Sequence, residues 1–383
     1  MGSEKKASQN KKKKGKNKNS QKKIILIAVE ALILVGLIFV LFKFVIPFTG
    51  MPNSGDGQDG VEKINIDDAG INDELVESGY WEEVNASSTE SGNGKGYLQV
   101  ALFGVDSRQG ELSRNTRTDS IMIASINQDT GEVKLVSVYR DTYLNLSNDT
   151  YNKCNSAYAK GGPEQAIQML NMNLDLNIEN YITVGFKGVV DTVNALGGVG
   201  IDITNAEIGY LNDYQYCIAE DLGIANYTKV TTAGYQMLDG LQACAYCRIR
   251  YTAGDDFKRA ERQRTVLTQM TEQAKLASAG TLTNIATDAF SNVSTSFDLG
   301  MILEVAANIN QYQVVGSEGF PFADYRTTGT IGGKGSCVVP MDLTTNVTQL
   351  HNFLFGVNGY SPSSVVQDCS RQIQADTAPY VGQ

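Results

Sequence analysis

Charged side chains gather at the few points of this chain where an apolar run begins or ends. Asp106, Ser107 and Arg108 follow directly on YLQVALFGV, and ligands of layered α/β proteins collect at the carboxyl ends of strands. Arg117 and Asp119 open the next apolar run, RTDSIMIASI, and Arg140 and Asp141 close the one after it, VSVYRDTY. In an antiparallel or mixed sheet these ends converge on one rim. Asp106 and Asp119 then offer a pair of hard oxygen donors. Mg²⁺ takes such carboxylates together with phosphate oxygens and water, and Mn²⁺ favours the same donor type.

A second group lies in YCRIRYTAGDDFKRAERQR. Arg248 and Arg250, two apart on an expected strand, point to one face. Arg259, Arg262 and Gln263 share a face of an expected helix. Arginines aimed at one place favour a multiply charged anion, because guanidinium forks match phosphate oxygens two at a time. Asp255 and Asp256 precede that helix, where a carboxylate suits the positive end of the helix dipole. Lys153 and Asn155 stand on a neighbouring loop. Any one of these residues alone reads as a solvated ion pair or a cap. So many arginines in an otherwise acidic body do not.

The elements that must position these groups alternate. Strands are expected at YLQVALFGV, SIMIASIN and EVKLVSVY, the last two joined by the turn QDTG. Pro163 to Leu174 reads as a helix with proline near its start. YITVGF is a strand, Lys187 to Leu196 a helix stopped by Gly197 and Gly198, and GVGIDI a strand. ACAYCRIRY is expected as a strand before a long helix from Arg259 to Ala277. Shorter helices over 281–311 and Gly-rich strands over 312–345 follow. This is the order of an α/β layered domain with a central mixed sheet flanked by helices. It occupies 96–345. An extension over 346–383 follows, with a helix expected from Thr344 to Phe355 and then a polar tail. A short helix over Asp73 to Val84 interrupts the Gly-, Ser- and Asp-rich stalk at 47–95.

The formal net charge of −10 over 383 residues conceals an uneven spread. Ten lysines against one glutamate make residues 1–23 about +9 and leave the remainder at about −19. The almost wholly apolar run at 24–46 is long enough to cross a hydrocarbon core, with Glu30 as its one acid. Lysines before it place the tail in the cytoplasm and everything after it outside the cell. The expected location is therefore the cell membrane, single-pass, with the folded domain extracellular. The basic tail has no helix-turn-helix pattern, so no nucleic-acid partner is expected. Six cysteines on the outer side suggest disulfides. Cys244 and Cys247 form a C-x-x-C without a second such pair, which argues against zinc. A single histidine, His351, leaves a Ser-His-Asp triad or a histidine metal site resting on one residue.

GVDSR, RTDSIMIASIN, VSVYRDTY, NKCNSAYAKGG, FKGVVDTVNALGGVGIDI and LDGLQACAYCRIRYTAGDDFKRAERQR occur in an order that resembles the LytR-CpsA-Psr family of cell-wall glycopolymer ligases. The resemblance covers roughly residues 97 to 275. It implies a phosphotransferase that moves a phosphate-linked glycopolymer, a teichoic acid or capsule for example, from a polyprenyl-pyrophosphate carrier to peptidoglycan. The lipid would enter an apolar tunnel in the α/β core. By the same resemblance Asp106 and Asp119 are the metal ligands, for Mg²⁺ or Mn²⁺. The pyrophosphate is held by Arg117, Arg140, Arg248, Arg250 and Arg259, with Gln263 and Lys153 assisting. Asp106, Arg140 and Asp256 are the expected catalytic groups; Asp106 or Asp256 serves as base, or none is needed if the transition state is loose. Lys258 stands where the family often has glycine, and Cys154 and Cys247 where it often has small apolar residues. The rival expectations are a polyprenyl-pyrophosphate hydrolase and a non-enzymatic envelope regulator or glycan-binding module.

Overall fold

The computed structural model describes residues 68–89, 94–105, 112, 116–251, 255–278, 281–282, 285, 293–297 and 311–381. The basic tail, the apolar run at 24–46 and most of the stalk lie outside the described residues, as do Asp106, Ser107 and Arg108. Among the described residues no helix is long and apolar enough to cross a membrane.

The centre is a mixed sheet built from β1 (Tyr97–Val105), β2 (Thr118–Asn127), β3 (Glu132–Val138), β6 (Asn180–Val184), β9 (Val293–Thr295) and β10 (Gln313–Phe320). Their order is β10-β3-β2-β1-β6-β9. β1, β2 and β3 run antiparallel, whereas β6 pairs with β1, and β10 with β3, in parallel. β1, β2 and β6 read as largely apolar runs because both their faces are covered. Val100, Leu102, Met122 and Ala124 project into one core, and Ala101, Phe103, Ile121 and Ile123 into the other. The alternation along each strand feeds two separate layers.

The first core packs against α4 (Phe186–Ala195), α5 (Asn205–Leu222), α6 (Gly240–Tyr246) and α7 (Asp255–Leu276). The hairpin of β7 (Val199–Ile203) and β8 (Gly234–Leu238) closes its side. The second core packs against α3 (Asn155–Leu174), α8 (Leu343–Phe355) and α9 (Ser364–Thr377), with α1 (Asp73–Glu77) and α2 (Tyr80–Ala86) at its edge. Two small hairpins complete the fold: β4 (Tyr143–Asn145) with β5 (Tyr151–Lys153), and β11 (Arg326–Thr330) with β12 (Ser336–Pro340).

Several local expectations are corrected. ACAYCRIRY is not a strand: its first part is α6, capped reciprocally by Asp239 and Gln242, and the arginines follow in a turn. Gly240 lets this helix rest on α4, since a Cβ there would lie 2.1 Å from the Val190 carbonyl oxygen. Residues 205–222 form a helix whose capping box joins Thr204 and Glu207. The helix expected from Pro163 begins earlier, at Asn155, and is broken at Gly162, whose φ of 69° suits glycine alone. All six cysteines are free thiols, and all but Cys217 are buried. They fill core positions, which is what a free cysteine does as a small apolar side chain.

The expected polar tail contains α9, whose Val366, Cys369 and Ile373 belong to the second core. His351 ties this region to the start of the domain. Its Nε2 lies 3.0 Å from the Leu174 carbonyl, an acceptor only, so Nε2–H donates. Nδ1 then accepts from the Tyr80 hydroxyl at 2.6 Å, and the ring stacks on Tyr360 at 3.8 Å. Burial lowers the His351 pKa to about 4. The unfolded chain takes up this proton near 6.5, so stability is full above that value and falls as pH drops towards 4. The loss is at most roughly 3 kcal/mol. Denaturant titrations at about pH 7 and about pH 4.5 should show it, and His351→Gln should shrink the difference. An unchanged difference in the variant would contradict this assignment.

Candidate active site

The carboxyl end of β3 and the amino end of β2 meet at one rim, and α7 starts above them. Asp119, almost fully buried on β2, makes a short ion pair with Arg140, which follows β3. Arg140 Nε lies 3.6 Å from Asp141, whose other oxygen binds Lys153 at 3.0 Å. Asp256, in the first turn of α7, takes Arg250 on both its oxygens, at 2.8 and 3.1 Å. The same carboxylate lies 3.1 Å from Arg259. Gln263, one turn further along α7, accepts from the Ser120 hydroxyl at 2.9 Å. Asp119, Ser120, Tyr139, Arg140, Asp256, Arg259 and Gln263 line one pocket.

The network joins Arg140, Lys153, Arg250 and Arg259 to Asp119, Asp141 and Asp256, a surplus of one positive charge. Burial opposes the charge on Arg140, but Asp119, Asp141 and Asp256 outweigh it and raise its pKa. Burial likewise opposes ionisation of Asp256, and Arg259, Arg250 and Arg140 reverse this, so its pKa is lowered. Asp256 and Asp119 relieve Arg259 only in part. Burial, then repulsion from Arg140, lowers its pKa to about 10. A buried guanidinium under like-charge stress at the wall of a pocket is a place where an entering oxyanion gains the most.

Of the residues singled out in the sequence, Asp119, Arg140, Lys153, Arg250, Asp256, Arg259 and Gln263 come together. Arg117 is exposed just before β2. Arg248 does not share a strand face with Arg250. It is fully buried one layer down, its guanidinium 4.9 Å from the Phe186 ring and 5.3 Å from Tyr214. Arg262 turns away to Glu207 at 2.8 Å and the Ile249 carbonyl at 3.0 Å, where it holds α7 against α5. Lys258 faces solvent and pairs with Glu261 at 2.7 Å. Asp106 lies outside the described residues, but Val105 before it pairs with Thr118, next to Asp119. Tyr139 and Ser120 were not anticipated. Their signal is adjacency alone, one residue from Arg140 and from Asp119.

Fold and pocket define a three-layer α/β protein with a pocket lined by arginines and carboxylates on the rim of its sheet. The chain belongs to the LytR_cpsA_psr family, whose profile matches residues 63–333. It is 30% identical over 232 residues to the polyisoprenyl-teichoic acid–peptidoglycan teichoic acid transferase TagU of Enterococcus faecalis, over 59% of this chain and 68% of that one. Identity to TagU of Oceanobacillus iheyensis is 29% over 222 residues, 56% of this chain and 63% of that protein, a little under two thirds of its length. Among solved structures the fold is similar to TagT bound to LI-WTA, with a TM-score of 0.52 and 22% identity, covering 69% of this chain and 92% of that one. It is also similar to a Streptococcus agalactiae protein, with a TM-score of 0.56 and 23% identity over 70% and 91% of the two chains.

Inorganic pyrophosphate at a hundredfold excess over its Kd should stabilise the protein by about 2.7 kcal/mol, and the effect should fall with added salt. Arg250→Gln should remove most of it. Thermal melts with and without pyrophosphate check this, and an undiminished shift in the variant would place the anion elsewhere.

Proposed function

We propose that this protein is a membrane-anchored phosphotransferase that moves a phosphate-linked glycopolymer from a polyprenyl-diphosphate carrier to peptidoglycan outside the cell. One observation carries the reading: Arg140 and Arg259 line one pocket with Asp119 and Asp256, and Asp256 holds Arg250 beside them, in a family whose relatives bear transferase names. The apolar run at 24–46 and the lysines before it support a single-pass anchor with the pocket on the outer side. Arg248, wedged between Phe186 and Tyr214, stands where the rim meets the first apolar core. An aliphatic tail entering that layer would leave its diphosphate among the arginines.

In the proposed reaction a hydroxyl of the wall glycan attacks the phosphorus attached to the sugar. A new P–O bond forms, the anhydride P–O bond breaks, and polyprenyl phosphate leaves with the electron pair. Arg140, Arg250 and Arg259 stabilise the charge that spreads over the phosphoryl oxygens, and they are placed before the substrate arrives. Asp256 is a weak proton acceptor, because its arginines hold it ionised. Its part is to aim two of them. The hydroxyl proton passes to Asp106 or to water. A divalent cation, Mg²⁺ or Mn²⁺, would be held by Asp119 together with Asp106, the residue after Val105, and would neutralise diphosphate charge when bound.

The full chain, lipid-linked glycan, peptidoglycan and Mg²⁺ should together yield a new phosphodiester detectable by mass spectrometry. Chelation should suppress it. Arg140→Lys keeps the charge beside Asp119 but loses the fork, and should slow transfer about 100-fold while the protein stays folded. Release of phosphorylated glycan without a wall bond would assign a hydrolase instead. Full activity of the Arg140→Lys protein would remove the arginine's assigned role.

A further inference from the structure

Behind the pocket lies a second pair of arginines that the proposed reaction leaves unused. Arg264, on α7, is 8% exposed, and its Nε and Nη1 are buried without a hydrogen-bond acceptor among the described residues. The guanidinium of Arg326, at the start of β11, lies 3.9 Å from the Phe257 ring centre and 4.9 Å from that of Tyr139. It donates to the Tyr139 hydroxyl and to the Pro321 carbonyl, each at 3.0 Å. Neither guanidinium forms an ion pair with a carboxylate among the described residues. Tyr139 feels both of them, and Glu261 and Glu318 act on Arg264 only through space. A buried polar group with no partner is costly, and a buried charge more so. Repulsion between the two cations adds to that cost.

This cluster is not remote. Tyr139, Ala260 and Val338 form the apolar contact that underlies it, and all three also line the active-site pocket. On α7, Asp256, Arg259 and Gln263 face the pocket. Ala260 lies at its edge, and Arg264 is one turn beyond Ala260. A donor whose diphosphate is held by Arg140, Arg250 and Arg259 would bring the next part of its glycan to Arg264 and Arg326.

We propose that Arg264 and Arg326 form a second oxyanion subsite, which holds a phosphodiester or carboxylate carried on the glycan of the donor. The inference rests on the reading of the pocket as a lipid-diphosphate site. The edge-to-face rings of Phe257 and Tyr139 hold Arg326 in place, and Arg264 supplies buried N–H groups with no carboxylate paired to them among the described residues. Such a subsite selects donors by the charge of their first sugar units rather than by the lipid or the diphosphate.

Binding, measured without acceptor so that no turnover intervenes, tests this. The full chain in detergent is titrated calorimetrically with three short-chain polyprenyl-diphosphate disaccharides: neutral, bearing one phosphodiester, and bearing one carboxylate. The wild type should bind at least one charged donor about tenfold more tightly than the neutral one. Arg264→Gln and Arg326→Gln should each cut that preference to about twofold while binding the neutral donor within about twofold of wild type. The charged donor that wins identifies the oxyanion. Equal wild-type binding of all three donors overturns the subsite and leaves the proposed function standing. Binding of none overturns both. Variants that weaken all three donors alike would show a structural role for the pair, and would also overturn it. Should Arg264→Gln fail to fold, Arg326→Gln on its separate hairpin carries the test.

Discussion

The site depends on holding like charges together where water cannot screen them. Arg140, Arg250 and Arg259 are brought to one rim by two carboxylates, Asp119 and Asp256, which are themselves buried or half-buried. Removing ionised groups from water is expensive unless geometry and pairing are good. The carboxylates make the cluster possible, but they leave one positive charge uncancelled. Arg259 bears the strain, since it is buried and faces Arg140. The cluster therefore carries a net positive charge that the chain's own carboxylates do not cancel.

The fold explains how so few residues achieve this. β2 starts where β3 ends, so Asp119 and Arg140 meet although 21 residues separate them. The turn after α6 delivers Arg250 to the first turn of α7, where Asp256 waits. α6 can make that turn because it rests directly on the backbone of α4 at Gly240. Glu207 and Arg262 fasten α7 to α5 from the other side. On the far layer, Asp175 accepts from Ser363 and Tyr360, so the last helix closes the second core rather than trailing from it. The pocket sits on a frame clamped at both faces of the sheet.

Much of this was legible in the sequence, for identifiable reasons. β1, β2 and β6 are buried on both faces and so read as largely apolar runs. The charges at their ends stood out because few charges lie between them. Asp119, Arg140, Arg250, Asp256, Arg259 and Gln263 could be gathered from such signals. What failed was period. ACAYCRIRY is apolar enough for a strand, and only the Asp239–Gln242 capping box marks the helix. With the strand went the argument that Arg248 and Arg250 share a face. Arg262 was grouped with Arg259 by helical spacing, which cannot tell that Glu207 waits on the next helix. Arg264, one residue past the expected site face, carried no signal at all, because its neighbours Tyr139 and Arg326 come from distant segments. The helix over 364–377 was overlooked because half its turn faces solvent and its composition is polar.

The role of the arginine cluster is decided by where a diphosphate rests. A crystal structure with a short-chain polyprenyl diphosphate soaked in would locate it directly. The phosphates should lie among the guanidinium groups of Arg140, Arg250 and Arg259, with the aliphatic chain directed past Arg248 into the layer between the sheet and α4 to α7. Phosphates bound at any other surface, with those arginines still closed on Asp119 and Asp256, would contradict it.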